Sequence, residues 1–144
     1  MNTRAGIQVF GIPSDHQFTS QDDLIAILLD SLRPANTLHN GDIIVITSKV
    51  VAKCEGRVVT EVQDRESAIR SETKRVVATK VHDRGVTTIV ETHTGLILAA
   101  AGVDASNTEP GTIVLLPVDS DHSARRLREQ IEERAGVSIG VIIT

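Results

Sequence analysis

Aromatic residues are nearly missing from this 144-residue chain: Phe10 and Phe18 are the only two, with no Trp and no Tyr. Proteins that hold single-stranded nucleic acid stack bases on aromatic faces, so that class of function lacks its platform. The formal net charge of −4 also removes the basic footprint that nucleic-acid binding requires. Cys54 is the only cysteine, which excludes an internal disulfide and makes a reducing compartment, the cytoplasm, the expectation. No His lies near it in sequence, so packing rather than a reactive thiol is expected. No apolar run approaches the ~20 residues of a membrane span, and no signal-peptide core follows Met1. The five histidines, His16, His39, His82, His93 and His122, make no metal-ligand spacing. No Gly-x-x-x-x-Gly-Lys-Ser/Thr occurs, which excludes a P-loop.

What is present reads as one soluble α/β domain, a mixed sheet with helices packed on it. Hydrophobic content of 40% and charged content of 24% are ordinary for such a domain. Residues 7–10 predict a short strand before the turn-forming Gly11-Ile12-Pro13-Ser14-Asp15. Ser20, with Asp23 three residues on, predicts a helix start. Leu24, Ile25, Leu28, Leu29 and Leu32 then recur at helical spacing over 21–32, with Pro34 as the stop. After Asn40-Gly41, the β-branched run 43–46 suits a strand buried on both faces. Asp64 is expected to cap a second helix over 65–79, its charges forming a solvated face. Residues 86–91 and 96–100 predict a hairpin around Thr92-His93-Thr94-Gly95. A strand at 113–116, a helix at 123–134 stopped by Gly136, and an apolar strand at 137–143 complete the order. Asp119, Asp121 and Ser123 read as capping residues of that last helix.

Two stretches carry groups suited to chemistry. In the first, Thr47-Ser48-Lys49-Val50-Val51-Ala52-Lys53-Cys54-Glu55-Gly56-Arg57, hydroxyls and two lysines follow the end of a strand. Lys49 and Lys53 are four apart, so they share a face whether the segment is helical or extended, and both could reach one phosphate. The alternative is a pair of solvated lysines beside a strand end. In the second, Ala101-Gly102-Val103-Asp104-Ala105-Ser106-Asn107, Gly102 permits a sharp exit from a strand. Asp104 could give one carboxylate oxygen to Mg²⁺ or Mn²⁺, and Asn107 could contact a sugar or phosphate. Here the alternative is an ordinary Asx-turn at each residue.

Taken in order, these segments resemble a known family. The string runs Gly11-Ile12-Pro13, Asp22-Asp23-Leu24, Asn40-Gly41-Asp42, the 47–57 stretch and Ala99-Ala100-Ala101-Gly102-Val103-Asp104-Ala105-Ser106-Asn107. It continues through Leu115-Leu116-Pro117, Asp119, Ser123-Ala124 and Val141-Ile142-Ile143-Thr144. The chain is similar over essentially its whole length to the N-terminal part of the coenzyme F420 γ-glutamyl ligases, close to their actinobacterial branch. The resemblance implies a GTP-dependent ligase that adds L-glutamate to a deazaflavin coenzyme F420 precursor through an acyl phosphate, releasing GDP and phosphate. It puts Ile12, Pro13, Ser14 and Asp15 in the first nucleotide-contacting turn. Ser48, Lys49 and Lys53 fall on the phosphate side, Asn107 on the nucleotide, and Asp104 on a divalent metal; no catalytic residue is assigned. It further implies Mg²⁺ or Mn²⁺ as cofactor, admits a monovalent cation such as K⁺, and implies a homodimer of the full-length protein, with neither nucleic acid nor membrane as partner. In this family the final Ile-Ile-Thr leads into an Asp-Thr pair that supplies more metal ligands. The expectation is therefore an incomplete N-terminal part of a larger ligase fold, binding GTP weakly at best and not ligating alone. The rival readings are a non-catalytic nucleotide-binding or assembly fragment, and a related amide ligase with another acceptor.

Overall fold

A computed structural model describes residues 6–32, 37–60, 65–83, 85–106 and 110–144. At its centre, β1 (Ile43–Ile46) pairs in parallel with β7 (Gly140–Ile143), Ile43 opposite Gly140 and Ile46 opposite Ile143. The predicted burial on both faces is not found: Ile44 and Ile46 are buried, while Ile43 and Val45 are 62% and 61% exposed. Side chains alternate across a strand, and the described residues cover only one face of this two-stranded sheet. Ile44 and Ile46 join Leu24 and Ile25 of α1 (Leu24–Leu32), Val51 of α2 (Ser48–Cys54), and Leu127 and Ile131 of α4 (Ser120–Ala135) in the first core. Ile131 and Val51 are almost wholly buried. Each such side chain contributes ~1.5–3 kcal/mol. An exposed ion pair such as Arg134 to Asp23 contributes ~1 kcal/mol or less, so apolar contact docks these helices.

Helix ends follow local hydrogen bonding. The first helix begins at Leu24 rather than at residue 21, because Asp23, not Ser20, is its cap. The Asp23 carboxylate accepts from the amides of Ile25 and Ala26, both at 3.1 Å. Asp22 turns back instead to accept from the Thr19 amide at 2.6 Å. The last helix is longer than predicted, because Asp119 caps it by accepting from the His122 amide at 2.8 Å. Gly136, in the left-handed region, closes it. Ser123 is not a cap: it is buried, and its hydroxyl donates to Glu55 at 2.5 Å. Pro34 and Asp64, predicted as a stop and a cap, lie outside the described residues.

The second half departs furthest from expectation. Helix α3 spans only Arg65–Glu72, and the chain then becomes β3 (Thr73–His82). Thr73, Val76, Val77, Thr79 and Val81 are β-branched, and an antiparallel partner, β4 (Gly85–Thr92), is at hand to satisfy their backbone. Lys74 and Arg75 therefore leave the supposed helical face and pair with Glu91 on β4, at 2.8 and 2.6 Å. Strand β5 (Ile97–Ala99) extends this sheet as the hairpin reading requires. β2 (Val58–Val59) pairs antiparallel with β6 (Ile113–Val114), shorter than predicted. The second core joins Ile69, Val90, Ala101, Val103, Ile113 and Leu115. The predicted strand at 7–10 is absent: Ile7 and Val9 are 93% and 89% exposed and pair with no described strand. An extended segment without a partner has only water for its backbone groups. Among the described residues, no helix is long and apolar enough to cross a membrane.

After β5 the chain makes a left-handed turn, with φ of 50° at Ala100, 52° at Ala101 and 70° at Gly102. The two alanines cost ~1–2 kcal/mol each in this conformation, and burial of Ala101 and Val103 offsets it. A methyl group at Gly102 would lie 2.7 Å from Leu116 Cδ1 and 2.8 Å from Leu98 Cδ1. Gly102→Ala is expected to lower stability by ~1–3 kcal/mol, read as a fall in the urea midpoint. Acid should destabilise the fold as well. Hydrogen bonds from Thr19 to Asp22, from Arg134 to Asp23 and from Lys74 to Glu91 hold all three carboxyls below their ordinary values of 3.8, 3.8 and 4.5. Their contribution is complete above those values and is lost as pH falls through the lowered ones. Thermal midpoints should thus be level near neutrality and fall from about pH 4.5 downward; a midpoint unchanged at pH 3 would contradict this.

Candidate functional site

The carboxyl end of the β1–β7 pair is where the candidate residues gather. Strand β1 runs through Thr47 straight into α2, and the Ser48 amide donates to the Thr144 carbonyl at 2.7 Å. That amide is thus engaged within the fold, leaving the Ser48 hydroxyl as the group that could meet a ligand. Lys49, in the first turn of α2, reaches across to the loop that follows the left-handed turn. Its ammonium lies 2.5 Å from Asp104 Oδ2, 2.7 Å from the Ser106 carbonyl and 3.2 Å from the Ser106 hydroxyl. The other Asp104 oxygen accepts from the Ser106 amide at 2.7 Å. The Lys49 ammonium and, after it, Ser106 hold the Asp104 carboxyl down at about 2, so it is an anion at any physiological pH.

The backbone fixes this loop from behind. Asp104 exchanges two hydrogen bonds with Val114, at 2.9 and 2.8 Å, and Arg65 donates to the Val103 carbonyl at 3.0 Å. Arg57 donates to the Leu116 carbonyl at 2.9 Å and to Glu72 at 2.8 Å, tying the start of β2 to α3 and to the chain after β6. The two stretches singled out in the sequence, nearly sixty residues apart, therefore meet through Lys49 and Asp104.

Lys53 follows Lys49 by one helical turn and shares its face. Its ammonium has no hydrogen bond or ion pair with any described residue, and it sits in the last turn of α2, where positive charge is favourable. Among the described residues, no hydrogen bond or ion pair joins residues 12–15 to this cluster: Ile12 is half-buried, Pro13 and Asp15 are exposed, and the Ser14 hydroxyl accepts from the His16 amide. Asn107 lies outside the described residues. Ser106 was missed as an individual candidate, and its position one residue before Asn107 in the Gly102 loop was the available signal. Cys54 packs against the first core, and burial, with Asp22 and Glu55 nearby, pushes its thiol up. That is the environment of an inert cysteine.

A divalent cation, which the resemblance implies, does not fit the described residues as arranged. No three His, Cys, Asp or Glu side chains among them are placed to hold one. Such an ion takes about six oxygens, whereas here one carboxylate is available and both its oxygens already have partners.

Comparison with known proteins agrees with the residue pattern. The family described as F420-0:gamma-glutamyl ligase matches residues 16–144. The coenzyme F420:L-glutamate ligase of Methanopyrus kandleri is 31% identical over 152 aligned residues, covering 96% of this chain and 59% of the relative. The enzyme of the same name from Archaeoglobus fulgidus is 32% identical over 151, again 96% and 59%. That from Methanothermobacter thermautotrophicus is 28% identical over 158, covering 96% and 61%. The chain thus spans about three-fifths of the length of the curated relatives it matches. On a match that runs from residue 16 to the last residue, the chain belongs to the F420-0:gamma-glutamyl ligase family.

Proposed function

We propose that this chain forms the nucleotide-phosphate side of a ligase that joins L-glutamate to a coenzyme F420 precursor at the expense of GTP. The observation that carries this reading is the meeting of Lys49 and Asp104 at the carboxyl end of the parallel strands. In open parallel sheets, ligands bind outside the carboxyl ends of the strands. Family membership supplies the reaction class: the relatives are named as coenzyme F420:L-glutamate ligases.

In the proposed reaction the terminal carboxylate of the precursor attacks the γ-phosphorus of GTP, forming an acyl phosphate and releasing GDP. The glutamate amine then attacks the acyl carbon, the amide bond forms, and inorganic phosphate leaves with the C–O bond electrons. Phosphoryl transfer of this kind asks the protein mainly for positioning and charge neutralisation. Lys53, which has no ion pair among the described residues, is proposed to meet phosphate oxygens together with Lys49, with the Ser48 hydroxyl and residues 12–15 as further nucleotide contacts and Asn107 beyond Ser106. Asp104 is proposed to give one oxygen to a Mg²⁺ or Mn²⁺ ion whose other ligands come from substrate and from residues outside this chain. The exposed Ile43–Val45 face and the apolar Val76, Val81 and Val86 of the β3–β4 ribbon leave surface for the rest of the ligase and for a second copy in a homodimer.

Calorimetric titration of GTP into the chain with Mn²⁺ present tests the reading. Weak, saturable binding is expected, and Lys53→Ala should raise Kd about tenfold, the loss of a charge-assisted contact of ~1.5 kcal/mol. A folded chain that takes up no GTP, or a Lys53→Ala variant that binds as well as the parent, would sink the assignment. The chain alone is expected to form no glutamylated product in a mass-spectrometric assay with GTP, precursor and glutamate.

A further inference from the structure

Residues 6–15 run ahead of the first core with little polar contact to fix them. Ile7, Val9 and Phe10 are 93%, 89% and 62% exposed. Among the described residues, the one hydrogen bond this segment makes is from the His16 amide to the Ser14 hydroxyl, at 3.2 Å. The polar contacts that tie it to the fold therefore pass through His16. The ring Nε2 lies 2.9 Å from Asp22 Oδ1, and the ring meets Phe18 edge to face, with centroids 5.0 Å apart. Both partners are themselves held. Asp22 Oδ2 accepts from the Thr19 amide and hydroxyl at 2.6 and 2.9 Å, and Phe18 packs against the first core. This anchor stands beside the end of α2, the helix that carries Lys49 and Lys53. A methyl group at Gly56 would lie 3.7 Å from Ser20 Cβ, and Asp22 lines a cavity of about 180 Å³ together with Val51 and Cys54.

We infer that His16 is a positioning residue: by tying its ring to Asp22 it fixes residues 12–15 relative to α2, so that they meet a nucleotide already ordered. An Nε2–H donates to the carboxylate whether or not Nδ1 also carries a proton, so the tie holds in both charge states of the ring. An exposed pair of this kind adds little to global stability. A segment that must be ordered at the moment of binding, by contrast, weakens affinity by the conformational entropy it loses. Loss of the tie is therefore felt in local order and in binding more than in folding. The effect on affinity rests on the reading of residues 12–15 as nucleotide contacts; the effect on order does not.

The test is nuclear magnetic resonance of the full chain, reading backbone order parameters at positions 14 to 16, with calorimetric titration of GTP in parallel. His16→Ala is expected to lower those order parameters from about 0.85 to below about 0.6. Its thermal midpoint should move by no more than about 4 °C, while its Kd for GTP rises about fivefold. His16→Gln places an amide N–H donor within reach of Asp22 and should restore both order and affinity. His16→Phe keeps a ring against Phe18, loses the donor, and should restore neither. Order unchanged in His16→Ala overturns the inference, as does rescue by His16→Phe equal to that by His16→Gln. Where the parent binds GTP, a His16→Ala variant that binds it as tightly also overturns the positioning role. A parent that takes up no GTP counts against the nucleotide site alone, since the order parameters are measured without it.

Discussion

Everything in the first core hangs on the parallel pairing of β1 with β7. It brings residue 43 beside residue 140, supplies the apolar face on which α1, α2 and α4 dock, and sets the direction in which the chain leaves β1. Because the strands are parallel, both finish at the same edge. Thr144 there receives the Ser48 amide, so α2 is positioned by the last residue of the chain. The ammonium of Lys49 is placed by that same pairing.

The second core is organised differently. Its β3–β4–β5 strands are local in sequence, and the strained Ala100–Gly102 turn redirects the chain from β5 towards β6. Asp104 follows directly and is caught by Val114. The candidate site lies on the seam between the two cores, with Lys49 contributed by one and Asp104 by the other.

How far the sequence foretold this depends on which forces decide each segment. Leu24 to Leu32, the Ile43–Ile46 run and the Asp119–Gly136 frame were legible, because periodicity, caps and a left-handed glycine act locally. Residues 73–79 were misread as helix: their charges fit a helical face, and only the presence of β4 reveals why Thr73, Val76 and Val77 prefer to extend. Burial of β1 was overestimated for the complementary reason, that a β-branched run does not say how many layers will cover it. At the site, Lys49 and Asp104 were singled out by residue type, but their contact was not foreseeable from spacing. It depends on the pairing of β1 with the distant β7 and on positive φ at Ala100 and Ala101, a conformation alanine rarely adopts.

The β1–β7 pairing also has a consequence for the birth of the molecule. Strand β1 is translated early, yet its only partner among the described strands, β7, begins at residue 140. At a synthesis rate of about 5–20 residues per second, β1 waits on the order of 5–20 s with its Ile and Val side chains unpaired. The β3–β4–β5 meander needs no such delay and can form as it emerges. The nascent chain is therefore expected to assemble the β3–β4–β5 meander first, leaving Ile43 to Ile46 as the segment that most needs shielding by a chaperone until β7 has been made.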